Sequence, residues 1–383
     1  MKFIYLDHNS TTPLNPRAAD AIRAASLEFS GNPASQHRLG QLARRRLEQS
    51  RARILADLGA VITGRSPDKL IFTSGGTEGN NLALLGMVDA NRPQIVISAV
   101  EHPSIVGAAQ RARQLGFSVQ VVPVDQNGVV RLEVLELLLH TPTCLVSIMA
   151  ANNETGVLQP IAAAAALCHQ WGALLHTDAV QAVGKVPVLF REWGVDALTF
   201  TSHKFHGPRS IGGLVVRADG QVHPLLYGGF QQGGIRPGTE DVGLAVGCET
   251  ALTICLGDLE QRRLLLAGLR DRFVEVLHQR LGGDFVINGG QAARAPHTLN
   301  VSFPGVERQA LLLAADSVGI AISTGSACAS GSSEPSPVLL AMGLDPDVVG
   351  SSVRISFGVT NTIEEVEWGA AQMAEIVAAF RQR

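Results

Sequence analysis

The chain has 383 residues, 46% of them hydrophobic and 17% charged, with a formal net charge of -3 at pH 7. This length exceeds the size at which one hydrophobic core stops growing, so two domains are predicted. The slightly acidic charge argues against direct binding to nucleic acid or to a membrane surface. No apolar run is long enough for a membrane span, and the N-terminus becomes polar too soon for a targeting peptide. Five widely spaced cysteines without a zinc-type pair favour a reduced, cytoplasmic protein with no metal site.

Short apolar runs alternate with helix-length segments between residues 70 and 216. This alternation is typical of an α/β fold whose large domain holds a mostly parallel sheet, flanked by helices. In such sheets ligands bind at the carboxyl ends of the strands. The runs predicted as strands are 70–73, 94–98, 118–122, 144–149, 173–176, 197–200 and 211–216.

A different pattern follows residue 240. A long helical stretch (243–280) precedes a strand (297–303), a helix (307–317), a loop rich in glycine and serine (323–333), a strand (353–357) and a last helix. The order predicts a smaller α+β domain. We expect a large domain at 14–250, and a small domain made of 1–13 and 251–383.

Lys204 ends one of the apolar runs of the first half. A lysine at the mouth of a buried strand is costly unless it is paired or used chemically. Lysine amines form Schiff bases with aldehydes, and desolvation makes them nucleophilic. Taken alone, a surface lysine in a hairpin is the commoner explanation.

Other polar groups follow neighbouring strands of the predicted sheet. The glycine-bearing turn at 73–78 suits a phosphate, although an ordinary helix cap has the same pattern. Asp178 is able to pair with a pyridinium nitrogen, or else to cap a helix or join an ion pair. His102 is able to stack on a cofactor ring. Alternatively, it is a core histidine whose hydrogen bonds are made inside the protein. Amides near Asn153 are able to hold the phenolic oxygen of a cofactor ring. Together with Lys204, these groups indicate a pyridoxal-phosphate (PLP) site.

Two residues of the second half suggest the reaction. Cys328 lies among small residues in the loop, whereas structural cysteines are usually buried among apolar neighbours. Loops of this kind carry catalytic groups that must move, so a nucleophile is predicted. Arg354 lies within a predicted strand, where its guanidinium suits a bidentate substrate carboxylate or a structural salt bridge.

With these motifs the chain resembles the cysteine desulfurases of the aminotransferase class V family, PLP-dependent enzymes of the fold type I transferases. The long loop is similar to that of the subgroup with a long, flexible cysteine loop. The matching segments run nearly from end to end: 5–13, 31–35, 74–78, 101–102, 152–156, 178–181, 202–208, 236–239 and 325–328.

The resemblance implies roles around the cofactor. Lys204 carries PLP as a Schiff base and then moves protons, and Cys328 takes sulfur from L-cysteine as a persulfide for a sulfur-acceptor protein. His102 stacks on the cofactor ring and is expected to be a catalytic residue. The implied cofactor-binding residues are Gly76, Thr77, His102, Asn153, Asp178 (ring nitrogen), Gln181 (phenolic oxygen), Thr201, His203, Lys204 and Thr239.

The resemblance also implies a homodimer, because Thr239 is expected to reach the cofactor of the partner subunit. Arg354 is expected to bind the substrate carboxylate, with Asn32 and Asn153 as helpers. The chain departs from its relatives at Ser210, where a glycine is usual, and at His8, where Tyr or Asn is commoner. Neither change removes a catalytic group.

Several alternatives stay open. The fold also serves serine or phosphoserine aminotransferases and selenocysteine lyases, and a non-catalytic scaffold subunit would keep it as well. Relatives that feed an iron–sulfur scaffold protein often have a further tail after the last helix, and this sequence ends at Arg383. Iron–sulfur cluster assembly, transfer RNA thiolation and DNA sulfur modification therefore all remain possible destinations of the sulfur.

Overall fold

A computed structural model describes residues 3–325 and 334–382 and has three sheets with helices around them. The strands are β1 Ile4–Tyr5, β2 Lys69–Thr73, β3 Gln94–Ser98, β4 Ser118–Val122, β5 Thr143–Ser147, β6 Leu174–Asp178, β7 Ala197–Thr201, β8 Gly212–Val216, β9 Val286–Ile287, β10 Thr298–Ser302, β11 Ile320–Ala321 and β12 Ser352–Ser356. The helices are α1 Pro16–Glu28, α2 Arg38–Asp57, α3 Gly76–Gly86, α4 Pro103–Gln114, α5 Leu132–Leu139, α6 Ile161–Gln170, α7 Val242–Gly257, α8 Leu259–Leu281, α9 Arg308–Ser317, α10 Pro337–Ala341, α11 Pro346–Gly350 and α12 Ile363–Arg381.

The largest sheet has seven strands in the order β2-β8-β7-β6-β5-β3-β4. Strands β7, β6, β5, β3 and β4 are paired in parallel, and β8 runs antiparallel to both of its neighbours. All residues of β3, β5, β7 and β8 are buried, because helices cover both faces of the sheet. The predicted α/β fold with a mostly parallel sheet is confirmed.

A second group of elements packs around the antiparallel sheet β12-β10-β9 and the parallel pair β1-β11. Its apolar core joins Ile4 and Leu6 to side chains of α8, α9 and α12, such as Phe273, Leu311 and Met373. The first residues of the chain thus share a core with its last third. This core supports our proposal of a small domain that includes the N-terminal segment.

The boundary between the proposed domains falls within a helix if it is drawn at residue 250. Helix α7 continues to Gly257, and Ala251, Leu252 and Cys255 belong to the core of the large sheet. We therefore propose that the large domain extends to the bend before α8. The predicted helical stretch 243–280 is two helices, since α7 ends at Gly257 and α8 begins at Leu259, with a 75° bend between them.

Among the described helices, no single one has the length and apolar composition to cross a membrane. Only α7 and α8 taken together, across their bend, reach that length and composition. Side chains of α7 such as Ala245, Cys248 and Leu252 are buried in the large core of this chain. This packing accounts for the apolar character of the helix.

Candidate active site

The polar groups of the predicted site lie at one edge of the large sheet. Thr73, Asp178 and Thr201 are the last residues of β2, β6 and β7, and these strands end at that edge. Gly212 begins the antiparallel strand β8 there, and it is paired with both Thr73 and Thr201. The topology therefore brings together groups that are far apart in sequence, as expected for a ligand site of a parallel sheet.

Lys204 ends a single 3₁₀ turn, Ser202–Lys204, directly after β7. Its Nζ donates to the carbonyl oxygens of Asn9 at 2.5 Å and of Ser10 at 2.7 Å. The N-terminal segment is held against this turn, because Thr12 donates from its amide and its hydroxyl to the carbonyl of His203. The lysine is half-buried, and its amine contacts the N-terminal segment.

Asp178 and His102 are joined through two polar side chains. Asp178, 4% exposed, accepts at Oδ2 from Asn80 Nδ2 and at Oδ1 from the amide of Val180. Asn80 Nδ2 also donates to Ser104 Oγ, which lies 2.7 Å from His102 Nδ1. Within the described residues Asp178 has no ion pair, so the structural ion pair considered from the sequence is not observed there.

His102 is the N-cap of α4, and its Nδ1 accepts a hydrogen bond from the amide of Ser104 at 3.1 Å. Because a backbone N–H only donates, Nδ1 is the acceptor in this contact. The side chain is half-buried rather than enclosed in the core. Its stacking on a ring remains a proposal.

The glycine-bearing turn forms one wall of an open pocket of about 370 Å³. Helix α3 begins there without a side-chain cap, so its first amides are available to an anion. A Cβ added to Gly76 would lie 2.8 Å from Val180 Cγ2, so the turn packs too closely for a side chain. The residues around the pocket are Thr11, Ser74, Gly75, Gly76, Thr77, Glu78, Thr201, His203, Arg209 and Ser210.

His203 faces the same pocket and lies 3.1 Å from Thr11 Oγ1 through its Nδ1. Burial lowers its pKa to about 4, and the nearby charge of Lys204 acts in the same direction. The imidazole is therefore neutral near pH 7 and offers a hydrogen bond rather than a charge.

Arg354 connects this region to the small sheet. The side chain is 1% exposed, and its Nη2 binds Asp7 Oδ1 at 2.7 Å and Ser10 Oγ at 2.9 Å. Its Nη1 donates to the carbonyls of Asn153 at 3.0 Å and of Gly325 at 3.4 Å. The structural salt bridge considered from the sequence is therefore present, and substrate binding by Arg354 remains a proposal.

Two predicted residues are not brought into this arrangement, and a third lies outside the described residues. Asn32 is exposed, and its Oδ1 accepts from the amide of Ala34 in its own turn. Thr239 is exposed as well, beyond Arg236, which forms an ion pair with Glu78 in the first turn of α3. Cys328 lies in 326–333, outside the described residues.

Sequence reasoning missed four polar residues that support the site: Asn9, Asn80, Glu154 and Lys185. Glu154 accepts at Oε2 from Ser336 Oγ at 2.6 Å, and a Cβ added to Gly325 would lie 2.7 Å from the same oxygen. Asn80 lies on the buried face of α3, where an amide is unusual, but which of the adjacent Asn80 and Asn81 is buried is known only from the structure.

Comparisons with known proteins agree with this arrangement. The aminotransferase class-V family model matches residues 4–368. The chain belongs to the aminotransferase class-V family. It is 36% identical over 381 residues to a cysteine desulfurase IscS of Dictyoglomus turgidum, an alignment that covers 99% of this chain and 95% of the relative.

Two further proteins place the chain within this family. A putative cysteine desulfurase IscS 1 of Bacillus subtilis is 37% identical over 381 residues, covering 98% of this chain and 99% of the relative. The solved structure of a NifS-like protein from Rickettsia africae superposes with a TM-score of 0.89 at 32% identity, and the match covers 100% of both chains. The family and fold predicted from the sequence motifs are confirmed.

The residues at the sheet edge fit the cofactor of this family, PLP. Asp178 is a buried carboxylate without an ion pair in the described part of the chain, as a protonated ring nitrogen requires. The uncapped start of α3 suits the phosphate, and Lys204 supplies a half-buried amine at the same edge. The hydrogen-bonding groups and charges of these residues therefore match those of PLP.

Proposed function

We propose that this protein is a PLP-dependent cysteine desulfurase. It removes sulfur from L-cysteine, releases L-alanine and holds the sulfur as a persulfide on Cys328 for transfer to an acceptor protein. Supporting this, the sheet edge offers a lysine for the Schiff base, a carboxylate for the ring nitrogen and a cradle for the phosphate. The sequence after Gly325 contains a cysteine.

One contact chain carries the proposal, since it links the lysine to the start of the cysteine loop. Lys204 Nζ donates to the carbonyl of Ser10, Ser10 Oγ accepts from Arg354, and Arg354 Nη1 donates to the carbonyl of Gly325. Cys328 follows Gly325 by three residues, and three residues span at most about 11 Å. We propose that the Cys328 thiol, on so short a tether, meets a substrate held between Lys204 and Arg354.

The other cysteines are poor candidates for the nucleophile. Cys144, Cys168, Cys248 and Cys255 are all buried free thiols. Burial raises the pKa of Cys168 and Cys248 to about 12 and that of Cys255 to about 11, and it raises the pKa of Cys144 as well. The reactive form of a cysteine is the thiolate, and a cysteine with a raised pKa forms little of it at neutral pH. These four cysteines are therefore expected to be inert.

The proposed reaction breaks the Cβ–S bond of L-cysteine and forms a bond between that sulfur and Cys328 Sγ. The substrate carbon takes up a proton and the electron pair, so L-alanine is the reduced product, and the sulfur is oxidised to the level of a persulfide. Bound PLP supplies an electron sink that stabilises negative charge on the substrate carbons. Lys204 Nζ moves the proton from substrate Cα, and Cys328 enters as the thiolate.

We further propose how this chain holds the two ligands. Arg354 binds the substrate carboxylate, with the Asn153 side chain beside it and Asn32 as a second helper. Asp178 pairs with the ring nitrogen, His102 stacks on the ring and Gln181 meets the phenolic oxygen. The phosphate is held by Gly76, Thr77, Thr201 and His203.

The assembly that we propose is a homodimer in the cytoplasm. The segment before Thr239 carries Tyr227 and Phe230, which are 87% and 93% exposed. Large aromatic side chains are enriched at protein interfaces, so a second copy of the chain is the partner we expect on this segment. Thr239 then reaches the cofactor of the other subunit. The acceptor protein takes the sulfur into iron–sulfur cluster assembly, transfer RNA thiolation or DNA sulfur modification.

The proposal is tested by following alanine and sulfide formation from L-cysteine with a thiol reductant. The wild-type protein is expected to form both in equal amounts, whereas Cys328→Ser keeps the cofactor absorbance and forms neither. Cys144→Ser is the matched control and keeps the activity. Persistence of sulfide release in Cys328→Ser would exclude the persulfide role, and amino-group transfer to a keto acid instead would indicate an aminotransferase.

A further inference from the structure

Lys185 is a buried lysine to which the proposed chemistry gives no task. It lies in the turn after β6, its side chain is 6% exposed, and it is one of only four lysines in the sequence. In the part of the chain that the structure describes, no carboxylate lies within salt-bridge distance of it. Burial lowers its pKa well below the usual value, and the charge of Lys204 adds to the effect. A group so costly to bury requires a specific partner.

The partner of Lys185 is the side-chain amide of Gln181. Lys185 Nζ donates to Gln181 Oε1 at 2.7 Å, and Gln181 Nε2 donates to the carbonyl of Asn9 at 3.0 Å. The same carbonyl accepts from Lys204 Nζ. The amide thus connects the two lysines through Asn9.

These two contacts fix which way the amide faces. A backbone carbonyl only accepts hydrogen bonds, so it must face Nε2, and the lysine N–H donor must face Oε1. In a flipped amide, Nε2 would face the donor Lys185 Nζ, and Oε1 would face the acceptor carbonyl of Asn9. Gln181 is 4% exposed, so water has little access to replace either contact.

The surroundings of Lys185 offer no competing anion. It lines a cavity of about 20 Å³, the size of one water molecule, together with His8, His206, His297 and Lys204. No carboxylate lines this cavity among the described residues, and burial lowers the pKa of His8 to about 4. Among the described residues around this cavity, no carboxylate therefore competes with the Gln181 oxygen for Lys185.

We propose that Lys185 is a positioning residue that acts through Gln181. It holds the amide with its donor Nε2 turned towards Asn9 and Lys204, and the proposed contact of Gln181 with the phenolic oxygen requires such a donor. This inference rests on the proposed function, because it concerns the orientation of a proposed cofactor-binding residue. A hydrogen-bond donor at that oxygen favours its negatively charged form.

The prediction concerns the pH midpoint at which the absorbance of the bound cofactor changes. Loss of the oriented donor favours the protonated state, so the midpoint rises. We expect an increase of about one pH unit in Lys185→Met, the equivalent of one hydrogen bond. Gln181→Ala is expected to raise the midpoint by the same amount.

A double-mutant cycle distinguishes positioning from a direct effect of the lysine charge. If Lys185 acts through Gln181, then Lys185→Met changes nothing further in the Gln181→Ala background. Lys69→Met, which removes the exposed lysine at the start of β2, is the control and keeps the wild-type midpoint. An equal rise in both backgrounds, or no rise in Lys185→Met, would overturn the proposal.

Lys185→Gln supplies a second test that does not depend on tolerance of an apolar side chain. It keeps an N–H donor without a charge, so we expect a midpoint near the wild-type value. A Lys185→Gln midpoint equal to that of Lys185→Met would contradict the role of the hydrogen bond. Failure of the wild-type protein to bind PLP would instead contradict the proposed function, so the two failures are distinguishable.

Discussion

Asn80 donates a hydrogen bond of 2.7 Å from its Nδ2 to Oδ2 of Asp178. The same nitrogen donates to Ser104 Oγ at 2.9 Å, and Ser104 contacts His102. The carboxylate proposed for the ring nitrogen and the imidazole proposed to stack on the ring are therefore supported by one buried amide. Neither group is able to move far without disturbing the other.

Asn80→Ala is expected to weaken cofactor binding and to lower the free energy of unfolding. The substitution leaves a buried carboxylate oxygen without its donor, at a cost of roughly 1–3 kcal/mol. Urea unfolding of the cofactor-free protein and titration with PLP measure the two effects. Asn91→Ala, at an exposed turn, is the control. Wild-type values for both quantities in Asn80→Ala would show that the amide does not support Asp178.

Gly76→Ala is expected to lower PLP affinity by obstructing the phosphate cradle. The added Cβ would meet Val180 Cγ2 at 2.8 Å, so the first turn of α3 must shift. Gly107→Ala on α4 is a matched control, because a Cβ there meets nothing within 4 Å. Alanine in an open helical position stabilises by about 0.5–1 kcal/mol, so the control keeps its affinity and gains slightly in melting temperature. Equal PLP affinity in the two variants would contradict the proposal that the turn at Gly76 holds the phosphate.

Arg354→Lys is expected to raise KM for L-cysteine, because lysine loses the bidentate fork that suits a carboxylate. The loss of one charged hydrogen bond corresponds to a roughly 10- to 100-fold decrease in kcat/KM. Asp7→Asn separates this effect from the salt bridge, since it removes the ion pair but keeps the guanidinium. We expect both variants to unfold more easily and only Arg354→Lys to change KM strongly. A similar KM change in both would assign Arg354 a structural role alone.

Glu101 is expected to make stability fall as the pH rises. Burial raises its pKa to about 8, although Ser98 and the amide of Met149 donate to its Oε1. The folded protein therefore retains a proton that the unfolded chain releases above its ordinary pKa. The stability present at low pH is lost as the pH rises through about 8.

Comparing urea unfolding of wild type and Glu101→Gln near pH 5 and near pH 8 tests this linkage. Gln is neutral at both pH values, so the variant is expected to lose less stability than the wild type over this range. Parallel pH profiles for the two proteins would mean that Glu101 is ionised in the folded state.

The large sheet was predictable because buried parallel strands are continuous apolar runs. Strands β3 and β4 have the predicted bounds, whereas β6 extends past its apolar run to Asp178. The extension occurs because the polar Thr177 and Asp178 still pair with β7 at the site edge. Apolar periodicity does not detect such an end. The break between α7 and α8 was missed for a similar reason, since one glycine before Asp258 does not interrupt the pattern.

The supporting contacts of the site were not predictable from the sequence. Asn80 and Asp178 are 98 positions apart, and their hydrogen bond depends on how α3 packs on the sheet. Motifs identify residues that touch a ligand, whereas Lys185 acts through Gln181, whose amide also contacts the carbonyl of Asn9, 172 positions away, and only the fold supplies that contact. Asn32 and Thr239 were predicted as ligand-binding residues, and those roles stay predictions because both side chains are exposed in the single chain.

The central claim is that sulfur from L-cysteine is held on Cys328, and mass spectrometry of the loop peptide tests it most directly. After incubation with L-cysteine and alkylation without reduction, the peptide that contains Cys328 is expected to gain the mass of one sulfur atom. Peptides with the four buried cysteines are expected to stay unchanged, and Lys204→Ala protein is expected to show no gain. Formation of L-alanine without added sulfur on Cys328 would contradict the account.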